Sequence, residues 1–197
     1  MVAVASYGRN TALIVVDVQN DFADPNGSLY VQGGEEVVPL INEEIGRAGA
    51  AGASVFFTQD WHPESTPHFQ KDGGIWPVHC VMDTWGAEFH PSLEVAGEVV
   101  RKGTGGEDGY SGFTVADPTT GRTESTPLES NLRNAGVEEV VVVGLATDYC
   151  VKQTALDSVR LGFHTSVLSD QVRAVDLEAG DGDRALEEIR GAGGRIE

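Results

Sequence analysis

The sequence predicts an α/β chain folded as a three-layer α/β/α sandwich around a mostly parallel sheet of about five or six strands. Two observations predict it. Runs of β-branched residues at 11–18 and 137–144 are near-continuously apolar rather than alternating, as in parallel strands buried on both faces. Segments with helical spacing lie between such runs, and alternation of strand and helix builds a parallel sheet covered on both sides.

Residues 11–18 (TALIVVDV) give the first strand, 53–58 (ASVFFT) the second, 98–101 (EVVR) the third and 137–144 (VEEVVVVG) the fourth. Residues 163–168 (FHTSVL) read as a fifth strand and 194–197 (GRIE) as a short sixth. A helix over 35–50 carries Val38, Ile41, Ile45 and Ala48 on one face. A helix over 126–134 pairs Leu128 with Leu132, and Gly136 stops it. A helix over 147–161 aligns Val151, Ala155 and Val159 ahead of Gly162. A charged helix over 183–192 is the last. Residues 1–197 form one domain in this reading, interrupted by a loop at about 60–95 rich in His, Pro, Gly and Trp. Long irregular segments in compact domains are usually functional.

Composition removes several classes. With 13 Lys+Arg against 31 Asp+Glu the formal charge is −18, which repels phosphate backbones, and no basic stripe offsets it. A nucleic-acid partner is therefore not expected. No apolar run approaches the roughly 18 residues that span a bilayer. The opening MVAVASYGRN lacks the charged-then-apolar pattern of a leader. Two cysteines make no disulfide framework, and the default reading is a cytoplasmic chain. Self-association is expected on base rates alone.

In open parallel sheets ligands bind at the carboxyl ends of the strands. The residues there form a coherent set. Asp17 ends the first strand, Asp60 and His62 follow the second, Lys102 ends the third, and the fourth leads to Cys150. Cys150 in the first turn of a helix reads as a nucleophile whose thiol pKa the helix N-terminus should lower. Asp17, emerging from apolar surroundings, reads as a base with a raised pKa. Lys102 would balance their charges, while Arg101 points to the other face. Asp60, His62, His68 and His79 offer one oxygen and three imidazoles within one loop, a donor set that suits Zn²⁺, Fe²⁺ or Mn²⁺. Phe22, Trp76 and Tyr110 frame the region as walls for a flat ligand. His90 and His164 read as structural.

Several segments resemble the isochorismatase-like cysteine hydrolases, and their nicotinamidase/pyrazinamidase branch in particular. They are Val16-Asp17-Val18-Gln19-Asn20-Asp21-Phe22, Asp60-Trp61-His62-Pro63, Trp76-Pro77-Val78-His79-Cys80-Val81, Arg101-Lys102-Gly103, Tyr110-Ser111-Gly112-Phe113 and Gly144-Leu145-Ala146-Thr147-Asp148-Tyr149-Cys150-Val151. The resemblance implies a catalytic triad of Asp17, Lys102 and Cys150. It implies one divalent metal ion on Asp60, His62 and His79, with His68 as the fourth ligand of some members. It further implies a cis peptide between Leu145 and Ala146, an oxyanion hole from the amides of Ala146 and Cys150, and a pyridine ring between Phe22 and Trp76. The implied reaction is hydrolysis of nicotinamide, and of pyrazinamide, through a thioester, serving NAD salvage.

Three other readings stand beside it. One is an amidase of the same superfamily acting on another small amide or carbamoyl compound. One is a non-catalytic metal- or ligand-binding protein on this scaffold. The third is a redox protein in which Cys80 approaches Cys150.

Overall fold

The computed structural model describes residues 6–197, so part of the stretch read for a leader lies outside the described residues. The strands are β1 (Thr11–Val16), β2 (Ser54–Asp60), β3 (Glu98–Lys102), β4 (Thr114–Ala116), β5 (Thr123–Ser125), β6 (Glu139–Leu145), β7 (His164–Arg173) and β8 (Arg195–Ile196). The helices are α1 (Asn20–Ala23), α2 (Gly34–Ala50), α3 (Leu128–Asn134), α4 (Lys152–Arg160) and α5 (Asp181–Gly191). Six strands pair in the order β3-β2-β1-β6-β7-β8, and every pairing is parallel.

All six residues of β1 are buried, as its unbroken apolar run requires of a central strand. Its alternate side chains serve two cores. Leu13 and Val15 pack with Val38, Ile41 and Ile45 of α2 on one face. Ala12, Ile14 and Val16 pack with Leu128 and Leu132 of α3, Ala155 of α4 and Ile189 of α5 on the other. The sheet is thus the middle of three layers.

The chain steps outward from β1 through β2 to β3, then returns to the other side of β1 through β6, β7 and β8. Strand order therefore reverses between β1 and β6, and the crevice at the carboxyl ends of these two strands is where such sheets bind ligands. Gly144 allows their close approach. Its φ is +111°, and a Cβ there would lie 2.2 Å from the Val16 carbonyl oxygen.

Three expectations are corrected. The β4–β5 hairpin is absent from the sequence reading because its residues are half-buried or exposed and carry no apolar pattern. The strand expected over 163–168 continues to Arg173, through the exposed pair Ser169 and Asp170. The helix expected over 147–161 opens with a π-helical turn, Thr147–Val151, before α4 begins. Among the described residues no helix is long and apolar enough to cross a membrane.

Candidate active site

Asp17 follows β1 with a left-handed φ of 49°, a conformation short polar residues tolerate better than most. The turn aims its carboxylate across the crevice. Oδ1 accepts a hydrogen bond from Thr58 Oγ1 at 2.6 Å, and Oδ2 accepts one from Lys102 Nζ at 2.7 Å. Lys102, at the end of β3, is 1% exposed. A lysine is almost never this buried unless paired. Its ammonium also donates to Asp60 Oδ1 at 2.5 Å and to the Gly109 carbonyl, and it lies 3.7 Å from Cys150 Sγ. Side-chain heteroatoms of Asp17, Asp60 and Cys150 all lie within 4.8 Å of one another. Four strand ends thus converge on one buried point, and β2 itself reaches Asp60.

The two carboxylates that share Lys102 differ in proton affinity. Burial raises the Asp17 pKa, with the Lys102 ammonium opposing. For Asp60 burial also works upward, but Lys102 and His62 outweigh it and hold the carboxyl well below its usual range. Burial disfavours charge on Lys102, yet Asp17 and Asp60 outweigh it and keep the ammonium firmly protonated. Pairs of titratable groups pushed apart in this way divide acid–base roles. One expectation is overturned. Burial pushes the Cys150 thiol up rather than down, Asp17 and Asp60 add to this, and Lys102 offsets it only in part. Desolvation of the thiol, packed where the strand ends meet, disfavours its charged form. Cys150 therefore rests as a thiol beside a base.

The second half of the site lies one carboxylate away. Asp60 Oδ2 faces His62 Nε2 at 3.7 Å and His79 Nε2 at 4.0 Å. Ring nitrogens of His62, His68 and His79 lie within 4.8 Å of one another, and all three residues are buried. Their outer nitrogens are turned away from this point. His79 Nδ1 meets the Pro77 carbonyl at 2.8 Å, and His68 Nδ1 meets Asp108 Oδ1 at 2.5 Å. Such partners fix the tautomer that leaves Nε2 free as a lone-pair donor. Neither nitrogen of His62 has a hydrogen-bond partner among the described residues, although both are buried. An unpartnered buried imidazole is costly. A divalent cation among Asp60, His62, His68 and His79 would take up one of these nitrogens, and the donor set fits one. Burial also holds His79 down to about 4, so it stays neutral and able to bind metal well below neutral pH, and burial lowers His68 in the same direction.

Both halves open into one cavity. Cys150, Ala146, Asp60, His68 and His79 all line it. Phe22, Trp76 and Tyr110 line its walls, as the sequence predicts. Trp76 Nε1 donates to Tyr110 Oη at 2.8 Å, which ties the 60–95 loop to the segment after β3. The peptide between Leu145 and Ala146 is cis.

Several contributing residues escape sequence reasoning. Tyr149 packs edge-on to Trp76 at 4.8 Å and lines the cavity, though its neighbour Cys150 marks the motif. Leu29, Val31 and Val175 complete an apolar wall. Thr58 and Asp108 contribute single hydrogen bonds from segments that carry no motif. Arg101 lies outside the site, stacked 3.8 Å over the Trp61 ring. His164 is exposed at the amino end of β7, and His90 is partly exposed near the entry to α1. Cys80 is buried in one core and Cys150 in the other, both as free thiols, which gives no support to a redox pair.

The isochorismatase domain model matches residues 11–196. The nicotinamidase/pyrazinamidase of Mycobacterium tuberculosis is 44% identical over 188 residues, covering 92% of this chain and 95% of its own. The crystal structure of a pyrazinamidase of Pyrococcus horikoshii in complex with zinc aligns with a TM-score of 0.85 at 41% identity, over 95% of this chain and 98% of that one. The structure of PnC1 from L. infantum in complex with nicotinate aligns with a TM-score of 0.87 at 34% identity, over 98% and 95%.

Proposed function

The chain belongs to the isochorismatase family, and from that membership we propose that it is a metal-containing cysteine amidohydrolase converting nicotinamide to nicotinate and ammonia, with pyrazinamide as a second substrate. The observation that carries this reading is a single cavity lined by both Cys150 and the donor residues Asp60, His68 and His79. A substrate held there must present a carbonyl to sulfur and an electron-pair donor toward the imidazoles. Nicotinamide has both on one flat aromatic frame. Apolar lining suits the ring, and the cavity carries no arginine and no lysine along its walls to receive an anionic carbamoyl compound.

Asp17, its carboxylate favouring the proton more than usual, accepts the Cys150 proton, and the thiolate attacks the carboxamide carbon. The backbone amides of Ala146 and Cys150 hold the oxyanion that forms. One such donor is worth about 3–4 kcal/mol in comparable sites. Asp17 passes the proton to the departing nitrogen, the C–N bond breaks, and ammonia leaves a thioester. Asp17 then takes a proton from water, the resulting nucleophile attacks the thioester carbon, and nicotinate departs as the sulfur is reprotonated. Lys102 stays protonated throughout and compensates the charge that moves between Asp17 and Cys150. A divalent cation (Zn²⁺, Fe²⁺ or Mn²⁺) held by Asp60, His62, His68 and His79 would supply a Lewis-acidic anchor for the ring end of the substrate.

The test is ammonia release from nicotinamide by the purified protein, before chelation, after it, and after metal is restored. Release that disappears and returns with the metal is expected. No release by the metal-loaded protein, from nicotinamide or pyrazinamide, would move the assignment to a different amide.

A further inference from the structure

Residues 103–109, Gly-Thr-Gly-Gly-Glu-Asp-Gly, have no role in the reaction just described. They nevertheless supply the shortest polar contact to any of the imidazoles. Asp108 Oδ1 lies 2.5 Å from His68 Nδ1. Asp108 is itself fixed in place. Its amide donates to the Ala116 carbonyl at 2.7 Å, and its carbonyl accepts from the Ala116 amide at 2.9 Å. The segment is tied again at Gly106, whose carbonyl accepts from Thr66 Oγ1 at 2.6 Å, two residues before His68. The next two residues reach the rest of the site. Gly109 accepts from Lys102 Nζ, and Tyr110 accepts from Trp76 Nε1.

We propose that Asp108 is a positioning residue for the metal centre: its carboxylate holds His68 with Nε2 turned inward and makes it a fourth ligand. The inference rests on the metal site proposed above. The three imidazoles differ in what holds them. The outer nitrogen of His79 meets a carbonyl, and that of His62 meets nothing among the described residues. Among the described residues only the outer nitrogen of His68 meets a carboxylate, which both fixes the tautomer and raises the basicity of the inward nitrogen. His68 sits in a turn after a Pro, where its amide donates to Thr66 Oγ1 at 3.2 Å and its carbonyl accepts from the Trp76 amide at 3.4 Å, whereas Asp60 ends a strand.

The test uses Co²⁺ as the probe, added to metal-free full-length protein and followed by its visible absorption and by competition with a chelator. Asp108→Ala should weaken Co²⁺ binding about 10- to 100-fold, the usual cost of losing such an outer partner. It should also change the absorption bands, because a ligand has left. Asp108→Asn keeps the shape of the side chain and should fall between. In a His68→Ala background, Asp108→Ala should cost nothing further, since the two act as one unit. Binding by Asp108→Asn and Asp108→Ala within twofold of the parent, with unchanged bands, would overturn the proposal. So would a full effect of Asp108→Ala in the His68→Ala background, because the segment would then act on the fold and not through His68. Failure of the parent protein itself to bind Co²⁺ would remove the metal reading first, and this inference with it.

Discussion

Asp60 and Lys102 join the two halves of the site through one carboxylate. Lys102 Nζ donates to Asp60 Oδ1 at 2.5 Å, while Asp60 Oδ2 faces the imidazoles of His62 and His79. The same ammonium holds Asp17 Oδ2 at 2.7 Å. A single buried cation therefore separates a carboxylate that must exchange protons from one that must not.

Removing that cation should be severe. Lys102→Met leaves Asp17 and Asp60 buried with no ammonium between them. Breaking a buried pair in this way costs about 3–5 kcal/mol. The sign of the pH effect follows. Without Lys102 the burial that raises Asp17 goes unopposed, so that carboxyl binds its proton more tightly in the folded chain than in the unfolded one and the variant loses stability as pH rises. Urea denaturation of metal-free protein at pH 5.5 and 7.5 checks this: the gap between parent and variant should widen at the higher pH. A gap that is constant or narrows would mean that Lys102 does not compensate these charges.

Cys150→Ala should abolish turnover and leave the rest of the site standing. Loss of a nucleophile that works as a unit with its base lowers kcat by about 10⁴- to 10⁶-fold in comparable hydrolases. Cys150 makes no contact with the imidazoles, so metal content should be unchanged. Nicotinate should still bind, as measured by calorimetry. A variant that retains more than a few per cent of the parent rate would remove the thioester from the mechanism.

Metal binding should release few protons. Burial holds His79 down to about 4, so at pH 6 it has no proton to give up, and burial shifts His68 in the same direction. An ordinary histidine, with a pKa near 6.5, would be mostly protonated there. Calorimetric titration of metal-free protein with Zn²⁺ at pH 6, in buffers of different ionisation enthalpy, counts the protons. About one or fewer per metal is expected. Two or more would mean that these imidazoles are solvated before the metal arrives.

How much of this was legible in the sequence depended on the kind of signal each residue carried. β1 and β6 announced themselves because a strand buried on both faces must be apolar throughout. Asp17 and Lys102 stand out because each ends a strand, and Cys150 because it follows the fourth strand in the first turn of a helix. β4 and β5 did not, since a short exposed hairpin places no demand on hydrophobicity. The rise in the Cys150 thiol pKa is hidden for a related reason. A helix N-terminus can be read from sequence, but burial depends on segments far along the chain. Asp108 and Thr58 were invisible because a single long-range hydrogen bond leaves no periodic trace.

Asp148 carries the last prediction, because it shapes the cavity without touching the reacting atoms. It is buried two residues before Cys150, and its carboxylate accepts the amides of Val175 and Asp176, each at 2.9 Å. Val175 lines the cavity beside Tyr149 and Leu145. Asp176 in turn has a left-handed φ of 53°, and its carboxylate accepts the Gly182 amide at the start of α5. The two hydrogen bonds therefore hold the segment after β7 against the substrate wall. Charge-assisted bonds of this kind contribute about 1.5–3 kcal/mol each. Asp148→Ala leaves two partly buried amides unpartnered, so the segment should swing toward solvent and the wall should loosen. Binding of the ring depends on that wall, whereas the chemistry depends on Asp17, Lys102 and Cys150. KM for nicotinamide should therefore rise about 10-fold or more while kcat falls much less. Asp148→Asn keeps one acceptor and should lie between. Steady-state kinetics on both variants decide it, and a fall in kcat with KM unchanged would place Asp148 with the triad and not with the wall.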